Sequence, residues 1–481
     1  MSTLTEISRQ PNRPGKDAKT VAVIGGGLAG LAASCALCNA GYAVTLYERR
    51  PYLGGRASSY EHPGTGEVVD NCQHVLLGCC TNLLDFYRRL GVAEKIRWFD
   101  RLTFIEPGGK SGSLQPSFLP APLHASPAFL GFPLLSVRDK LGIARAMLAM
   151  MSGVPADDGR DFLTWLRNHG QTQRAIDRFW SPVLVSALNE ELDNVSVYYG
   201  AMVFRDAFLK SAEAGRMGVP TVPLSELYGV AAGYIQQRGG QVCLRANVEG
   251  FRQQGESVRV GIDGREEVFD YAISAVPFNG VGKILPPESS ASLRKEAAQL
   301  QSSPITGIHL WFDREITSLE HAVLLERTIQ WMFQKSKLLA GRAGSPDAPI
   351  AAGSYLELVV SSSKSLVEKS RAEIVELALK ELAEFFPTVR EAKLLKSTVI
   401  KEIHATFSPS PGSDSNRPKP ATQWSNIFVS GDWTATGWPA TMEGAVRGGY
   451  LTAEALSSAA GVPRKFLVPD LGAKGLMRLF K

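Results

Sequence analysis

Three glycines, an acid, a later cluster around one histidine and a Gly-Asp pair near the far end are the residues whose types and spacing suggest chemistry. Gly25, Gly27 and Gly30 form a G-x-G-x-x-G pattern, and Glu48 follows where a carboxylate accepts hydrogen bonds from an adenosine ribose. Gly25 permits a tight turn, Gly27 lets the backbone approach a pyrophosphate, and Gly30 lets a helix pack close to its sheet. Asp70, Gln73 and His74 are the first concentrated proton-handling groups. His74 reads as a general acid or ligand-orienting donor, although a lone histidine is more often satisfied inside the fold. Gly431-Asp432 ends a β-branched run, which places the Asp432 carboxylate at a strand edge within reach of a ribityl or ribose hydroxyl. Thr441 then opens a helix whose N-terminus faces an anion or an electron-rich carbonyl.

These groups need elements to hold them. Residues 21–24 suit a strand buried on both faces; a small-residue helix follows, Gly41 stops it, and 44–47 makes a second strand ending at Glu48. The helix directs free N–H groups and a partial positive charge at the phosphates. The uncharged run 21–44 behind Lys16 and Lys19 also invites a membrane-span or signal-peptide reading, but three consecutive glycines and the placed Glu48 weigh against it. Gly54-Gly55-Arg56 comes next: glycines lie flat against a ligand and Arg56 pairs with a phosphate, the alternative being a surface turn.

With 481 residues and a net charge of +5 spread along the chain, the composition is that of a soluble protein of about two or three domains, without a nucleic-acid footprint. The expected location is the cytoplasm. Cys35 and Cys38 form a lone C-x-x-C read as core packing; Cys79 and Cys80 fit reduced thiols; nothing has metal-ligand spacing. Residues 67–78 read as a strand ending in polar groups, and 81–90 as a helix stopped by Gly91. The apolar run 128–151, with Arg138, Lys140 and Arg145 interspersed, reads as a core helix, a wall of a lipid pocket or an amphipathic surface dipping into a membrane. Residues 161–192 continue an α-rich insertion. A helix over 224–238 and short strands to 275 return to the first sheet, and 286–418 is a second excursion with a mixed sheet and a helix over 364–386, where Lys335 reads as part of a solvated face.

Together these residues resemble the flavin-containing amine oxidase and phytoene desaturase superfamily, over nearly the whole chain from 21 to about 460. Within it, Asp70-Asn71-Cys72-Gln73-His74-Val75-Leu76-Leu77-Gly78, Val219-Pro220-x-Val222-Pro223-Leu224 and the run from Gly437 to Ala445 are similar to the hydroxysqualene dehydroxylases of bacterial hopanoid biosynthesis. The superfamily usually has glycine at the position of Cys72, near the flavin, which leaves the local geometry and the role of this thiol open.

The resemblance implies an α/β fold: a Rossmann-like FAD-binding domain (20–100, 218–285 and 419–463) and a discontinuous α+β substrate domain (101–217 and 286–418), with a disordered tail over 1–19 and a basic, apolar tail over 464–481. It implies FAD held by Gly25, Gly27, Leu28, Ala29, Gly30, Glu48, Arg49, Gly55, Arg56, Val248, Gly431, Asp432, Thr441, Met442 and Glu443. The implied reaction is reductive loss of the hydroxyl of hydroxysqualene, giving squalene: hydride from flavin N5, a proton from His74 or Asp70, and a tunnel walled by Trp433, Trp438 and the apolar middle helices. No second nucleotide motif marks the electron donor. The isoprenoid lipid substrate implies peripheral contact with the inner face of the cytoplasmic membrane, with the 464–481 tail as interfacial anchor or as a disordered terminus. A carotenoid desaturase, a flavin amine oxidase and a non-enzymatic prenyl-lipid carrier of the Rab-escort type are the alternatives.

Overall fold

The computed structural model describes residues 13–15, 17–62, 66–286, 291–339 and 353–480. Of the expected N-terminal tail, residues 1–12 and 16 lie outside the described residues, while Lys19 pairs with Asp270 at 2.8 Å.

The β-branched runs near the glycines form one parallel five-stranded sheet. Its order is Gln241–Leu244, Ala43–Glu48, Thr20–Ile24, Tyr271–Ser274, Ile427–Val429, so three distant stretches of chain share one surface. Val21, Ala22 and Val23 are fully buried because helices and a second small sheet cover both faces. The helices Leu28–Asn39 and Met442–Ala459 pack on one face, and small residues set their separation. At Gly449 an added Cβ would lie 2.4 Å from the Ala29 carbonyl oxygen. Cys35 and Cys38 are free, buried members of this core.

The remaining chain builds a second layer. A seven-stranded sheet runs Leu394–Phe407, Ser302–Phe312, Ser354–Ser361, Trp331–Gln334, His321–Leu324, Leu102–Ile105, Ser111–Leu114, antiparallel except where His321–Leu324 pairs parallel with Leu102–Ile105. The helix Arg371–Phe385, started by a capping box from Ser370 and Glu373, covers one face with Ile374, Ala378 and Leu382. The other face turns towards a helical cap formed by Val137–Met151, Phe162–Asn168, Ser181–Leu188 and Val197–Val203. The expected strand over 67–78 is interrupted: Val68–Asp70 and Leu76–Leu77 are strands, and the polar residues between them form a loop. The tail expected as an interfacial anchor or as a disordered terminus is strapped to the body, with Met477 fully buried and the Phe466 N–H donating to Glu454 at 2.8 Å.

Because Gly449 meets backbone rather than a movable side chain, Gly449→Val is expected to cost at least about 1–3 kcal/mol. Urea unfolding should show a lower midpoint with an unchanged slope.

Candidate functional site

One cavity of about 1050 Å³ joins the two layers. Its polar end begins at the turn after the first strand, where Gly25 adopts φ 108° and a Cβ would sit 2.7 Å from the Ala275 carbonyl oxygen. The helix Leu28–Asn39 starts here at Gly27, with no side-chain cap and no acid in its first turn. Its leading N–H groups are therefore available to an anion, and Gly27, Leu28 and Ala29 line the cavity. A Cβ on Gly55 would meet the Gly27 Cα at 2.9 Å, so the two glycine loops pass in backbone contact and leave a shallow cradle. Gly30 does not reach the cavity: an added Cβ would lie 1.9 Å from the Gly25 carbonyl oxygen, which makes it the residue that seats the helix on its turn.

Glu48 lines the same end together with Arg49 and Val248. Its carboxylate accepts from the Gly26 N–H at 2.7 Å and the Arg50 N–H at 2.8 Å, which fixes its position at the strand end. Midway along the cavity, the Arg56 guanidinium donates to Asp432 at 2.7 Å and to the Ala405 carbonyl at 2.7 Å. Gly431, Asp432, Thr441 and Met442 line this stretch, and the Thr441 hydroxyl caps the last long helix by accepting from the Gly444 N–H at 3.1 Å. Glu443 lines the cavity as well; its carboxylate is fully buried and accepts from the Leu83 N–H at 2.7 Å and the Asn82 amide at 3.0 Å, so it also caps the helix Thr81–Leu90.

The far end is apolar: Leu102, Phe104, Met202, Phe208, Trp331 and Phe333 line it. Trp438 lines the cavity and packs with Cys79 and Ala207 in a satellite core. Trp433 also lines it, but its indole N–H donates to the Val276 carbonyl at 3.1 Å and its ring packs in the core of the parallel sheet, on the nucleotide side rather than in the apolar chamber.

His74 lines the cavity, and its Nδ1 meets the Cys72 carbonyl oxygen at 2.8 Å, which leaves Nε2 unengaged. Burial pulls its imidazole below the ordinary range, so the resting ring is neutral with a lone pair on Nε2. Cys72 is buried among Met217, Val219 and Phe333; its thiol is within 3.6 Å of the Gln73 carbonyl, and burial pushes it well above the usual thiol range. This cysteine packs as a neutral apolar group.

Asp70 does not line the cavity. Burial would raise its carboxyl, but the Lys335 ammonium at 2.8 Å, the Ser59 hydroxyl at 2.6 Å and the Leu224 N–H at 3.1 Å hold it below the carboxylate range. A carboxylate held ionised has no proton to give, so the expected acid role fails for this residue. Lys335, expected on a solvated face, is 2% exposed. Its ammonium also donates to the Gln73 side chain at 2.8 Å and lies 3.3 Å from Glu357. One cation thus faces two buried carboxylates, and burial raises Glu357 to about 7, with Lys335 offsetting only part. Burial and the same ammonium lower His309 to about 3, so it adds no second cation. This pocket of charge underlies the loop 71–74 that carries His74. Its signal in the sequence is alternation: Trp331, Phe333 and Lys335 fall on one side of a strand and its end, and Tyr355, Glu357 and Val359 do the same on the neighbouring strand.

Two outcomes follow for this cluster. Lys335→Met leaves Asp70 buried without its counter-ion and is expected to cost about 3–5 kcal/mol in denaturant unfolding. Glu357 has a folded pKa above its unfolded value, so its contribution to stability is full below the unfolded pKa and is lost as pH rises through the folded one. Glu357→Gln should therefore unfold at higher urea than the parent protein above neutral pH, with the gap closing in acid.

A family model described as flavin containing amine oxidoreductase matches residues 28–457. The chain is 28% identical to a 15-cis-phytoene desaturase of Synechococcus elongatus, covering 91% of this chain and 95% of that one. It is 26% identical to a zeta-carotene desaturase of Synechocystis, covering 91% and 96%. Among solved structures, an oxidoreductase from Methanosarcina mazei superposes with a TM-score of 0.69 at 18% identity, covering 89% of this chain and 98% of that one.

Proposed function

We propose, from the premise that this chain belongs to the flavin-containing amine oxidoreductase family, that it acts on a long isoprenoid hydrocarbon, and specifically that it replaces the hydroxyl of hydroxysqualene by hydrogen to give squalene. FAD is the cofactor. The residues fit it: uncapped helix N–H groups and a glycine cradle for the pyrophosphate, Glu48 beside the ribose position, and the Arg56–Asp432 pair along the remaining length. Bound in its reduced form, FAD supplies a hydride equivalent, its two electrons entering from an external donor.

The observation that carries the reading is the continuity of that polar trough with the apolar chamber. Leu102, Phe104, Met202, Phe208, Trp331 and Phe333 offer a long hydrocarbon dispersion contact and exclude water from a cation-like carbon. Asp206, the acid on the chamber wall, is already paired with Lys210 at 2.7 Å. In the reaction the C–O bond breaks, the oxygen leaves as water after taking one proton, and the carbon receives hydride. His74 is the group that delivers that proton from Nε2 while the Cys72 carbonyl holds its orientation through Nδ1.

A second reading is carotenoid-type desaturation, in which the substrate loses a hydride and a proton. It is supported by the phytoene and zeta-carotene desaturases among the relatives and by the neutral state of His74, which suits a base better than an acid. Acidity separates the two. With His74 lowered, the dehydroxylation rate should climb as pH falls and the imidazolium becomes populated, whereas desaturation should slow. Dithionite-reduced protein incubated with hydroxysqualene should yield squalene by gas chromatography, and oxidised protein with phytoene should yield no new conjugated chromophore; the reverse pair of results replaces the first reading by the second. His74→Gln is expected to lower turnover by about 10²-fold while flavin absorbance is retained. Unchanged turnover with FAD bound removes His74 from the role.

A further inference from the structure

Aliphatic walls keep water from a cation-like carbon without stabilising it, whereas an aromatic face does both. Two rings of the chamber wall are built as such a face. Trp331 and Phe333 alternate on the strand Trp331–Gln334, so both line the cavity while Met332 between them is buried in the core on the opposite side of the sheet. Their planes are inclined by only 7° with centroids 5.5 Å apart, a sideways displacement that leaves part of each π face uncovered by the other. The indole is also held still. Its N–H donates to the Ser186 hydroxyl at 2.6 Å, and that hydroxyl donates to the Pro182 carbonyl at 2.6 Å. The polar edge of Trp331 is thereby satisfied by the cap helix Ser181–Leu188, and the Ser186 oxygen is engaged by two partners rather than free to attack a cation.

The pair stands beside the histidine. Phe333 shares one small core with Cys72, Met217 and Val359, and Trp331 packs against the same group. The Cys72 carbonyl is the group that orients His74. One part of the chamber therefore carries the imidazole and the two rings together, whereas Trp438 packs with Cys79 and Ala207, and Trp433 in the core of the parallel sheet. The ammonium groups nearby are neutralised: Lys335, two residues beyond Phe333, is paired with Asp70 at 2.8 Å, and Lys210 with Asp206 at 2.7 Å.

We propose that Trp331 and Phe333 are the surface on which the electron-poor carbon of the substrate rests, held by cation–π attraction, and that the chamber consequently binds long-chain ammonium ions more tightly than hydrocarbons of the same shape. The inference rests on the reading that the reacting carbon becomes cation-like. Loss of the protonated hydroxyl as water leaves such a carbon before hydride arrives, and departure of hydride leaves one in desaturation, so the pair serves either reaction.

Equilibrium dialysis of the FAD-loaded protein against radiolabelled farnesyldimethylammonium, and against its isostere with carbon in place of nitrogen, measures the preference directly. The parent protein should favour the ammonium ion by about tenfold, and Trp331→Leu should remove most of that preference with flavin absorbance and melting temperature retained. Trp331→Phe, which keeps a smaller π face, should lose only part of it, and supplies the comparison should the leucine variant unfold. Asp206→Asn should leave the preference in place. The proposal is overturned by a parent without the preference, by a folded Trp331 variant that keeps all of it, or by its disappearance in Asp206→Asn, where a carboxylate rather than a ring would be the binding group. A Trp331-dependent preference in protein that forms no squalene sinks the dehydroxylation reading alone, and squalene formation without that preference sinks this inference alone.

Discussion

An ion pair between residues 376 positions apart closes the centre of this molecule: Arg56, just past the second strand, donates to Asp432, just past the last one, at 2.7 Å. Asp432 lies just past the C-terminal end of its parallel strand and Arg56 reaches it from the loop after the second, where the sheet's crossovers leave a crevice for a ligand. The guanidinium also holds the Ala405 carbonyl, and the fully buried Arg417 ties the Asp432 carbonyl to the Tyr199 hydroxyl of the cap at 2.8 and 2.7 Å. Three chain segments, two layers and one trough are therefore linked through a few directional contacts. Such contacts specify register rather than supply net stability, which comes from the apolar cores on either side.

Much of the polar half of the trough was legible because its constraints are local. G-x-G-x-x-G, a stop glycine and an acid at the next strand end lie within one strand–helix–strand unit, and the structure places Gly25, Gly27 and Glu48 on the cavity. Gly30 packs the helix onto its turn as its spacing suggests, whereas Glu443 lines the cavity but has its carboxylate engaged by Asn82 and Leu83 some 360 residues earlier. No local pattern encodes that partner. Lys335 is the plainest case: beside Lys337 and Ser336 it reads as surface, and its burial becomes evident only once Asp70, 265 residues away, is brought to it.

The loop 71–74 shows why long-range burial matters for chemistry. It is held from beneath by Lys335 through Asp70 and Gln73, and at its surface the Cys72 carbonyl fixes the tautomer of His74. Within the charge cluster below, the Asp70 carboxylate favours the imidazolium and the Lys335 ammonium disfavours it, so the two act in opposite directions on the ring. What lowers His74 most is burial, set by the loop's packing against the cavity wall.

That packing connects acid chemistry to the hydrocarbon. A chamber dry enough to bind a long isoprenoid also disfavours the charged form of any group on its wall, so a proton donor there works against its own surroundings. The conflict eases when the substrate brings a hydroxyl to Nε2, because a polar partner restores part of the solvation the imidazolium lost. A plain hydrocarbon offers no such partner and leaves the ring neutral. Under the two proposed reactions the same histidine would act as a donor towards an alcohol and as an acceptor towards an allylic C–H, with the occupant of the chamber deciding which.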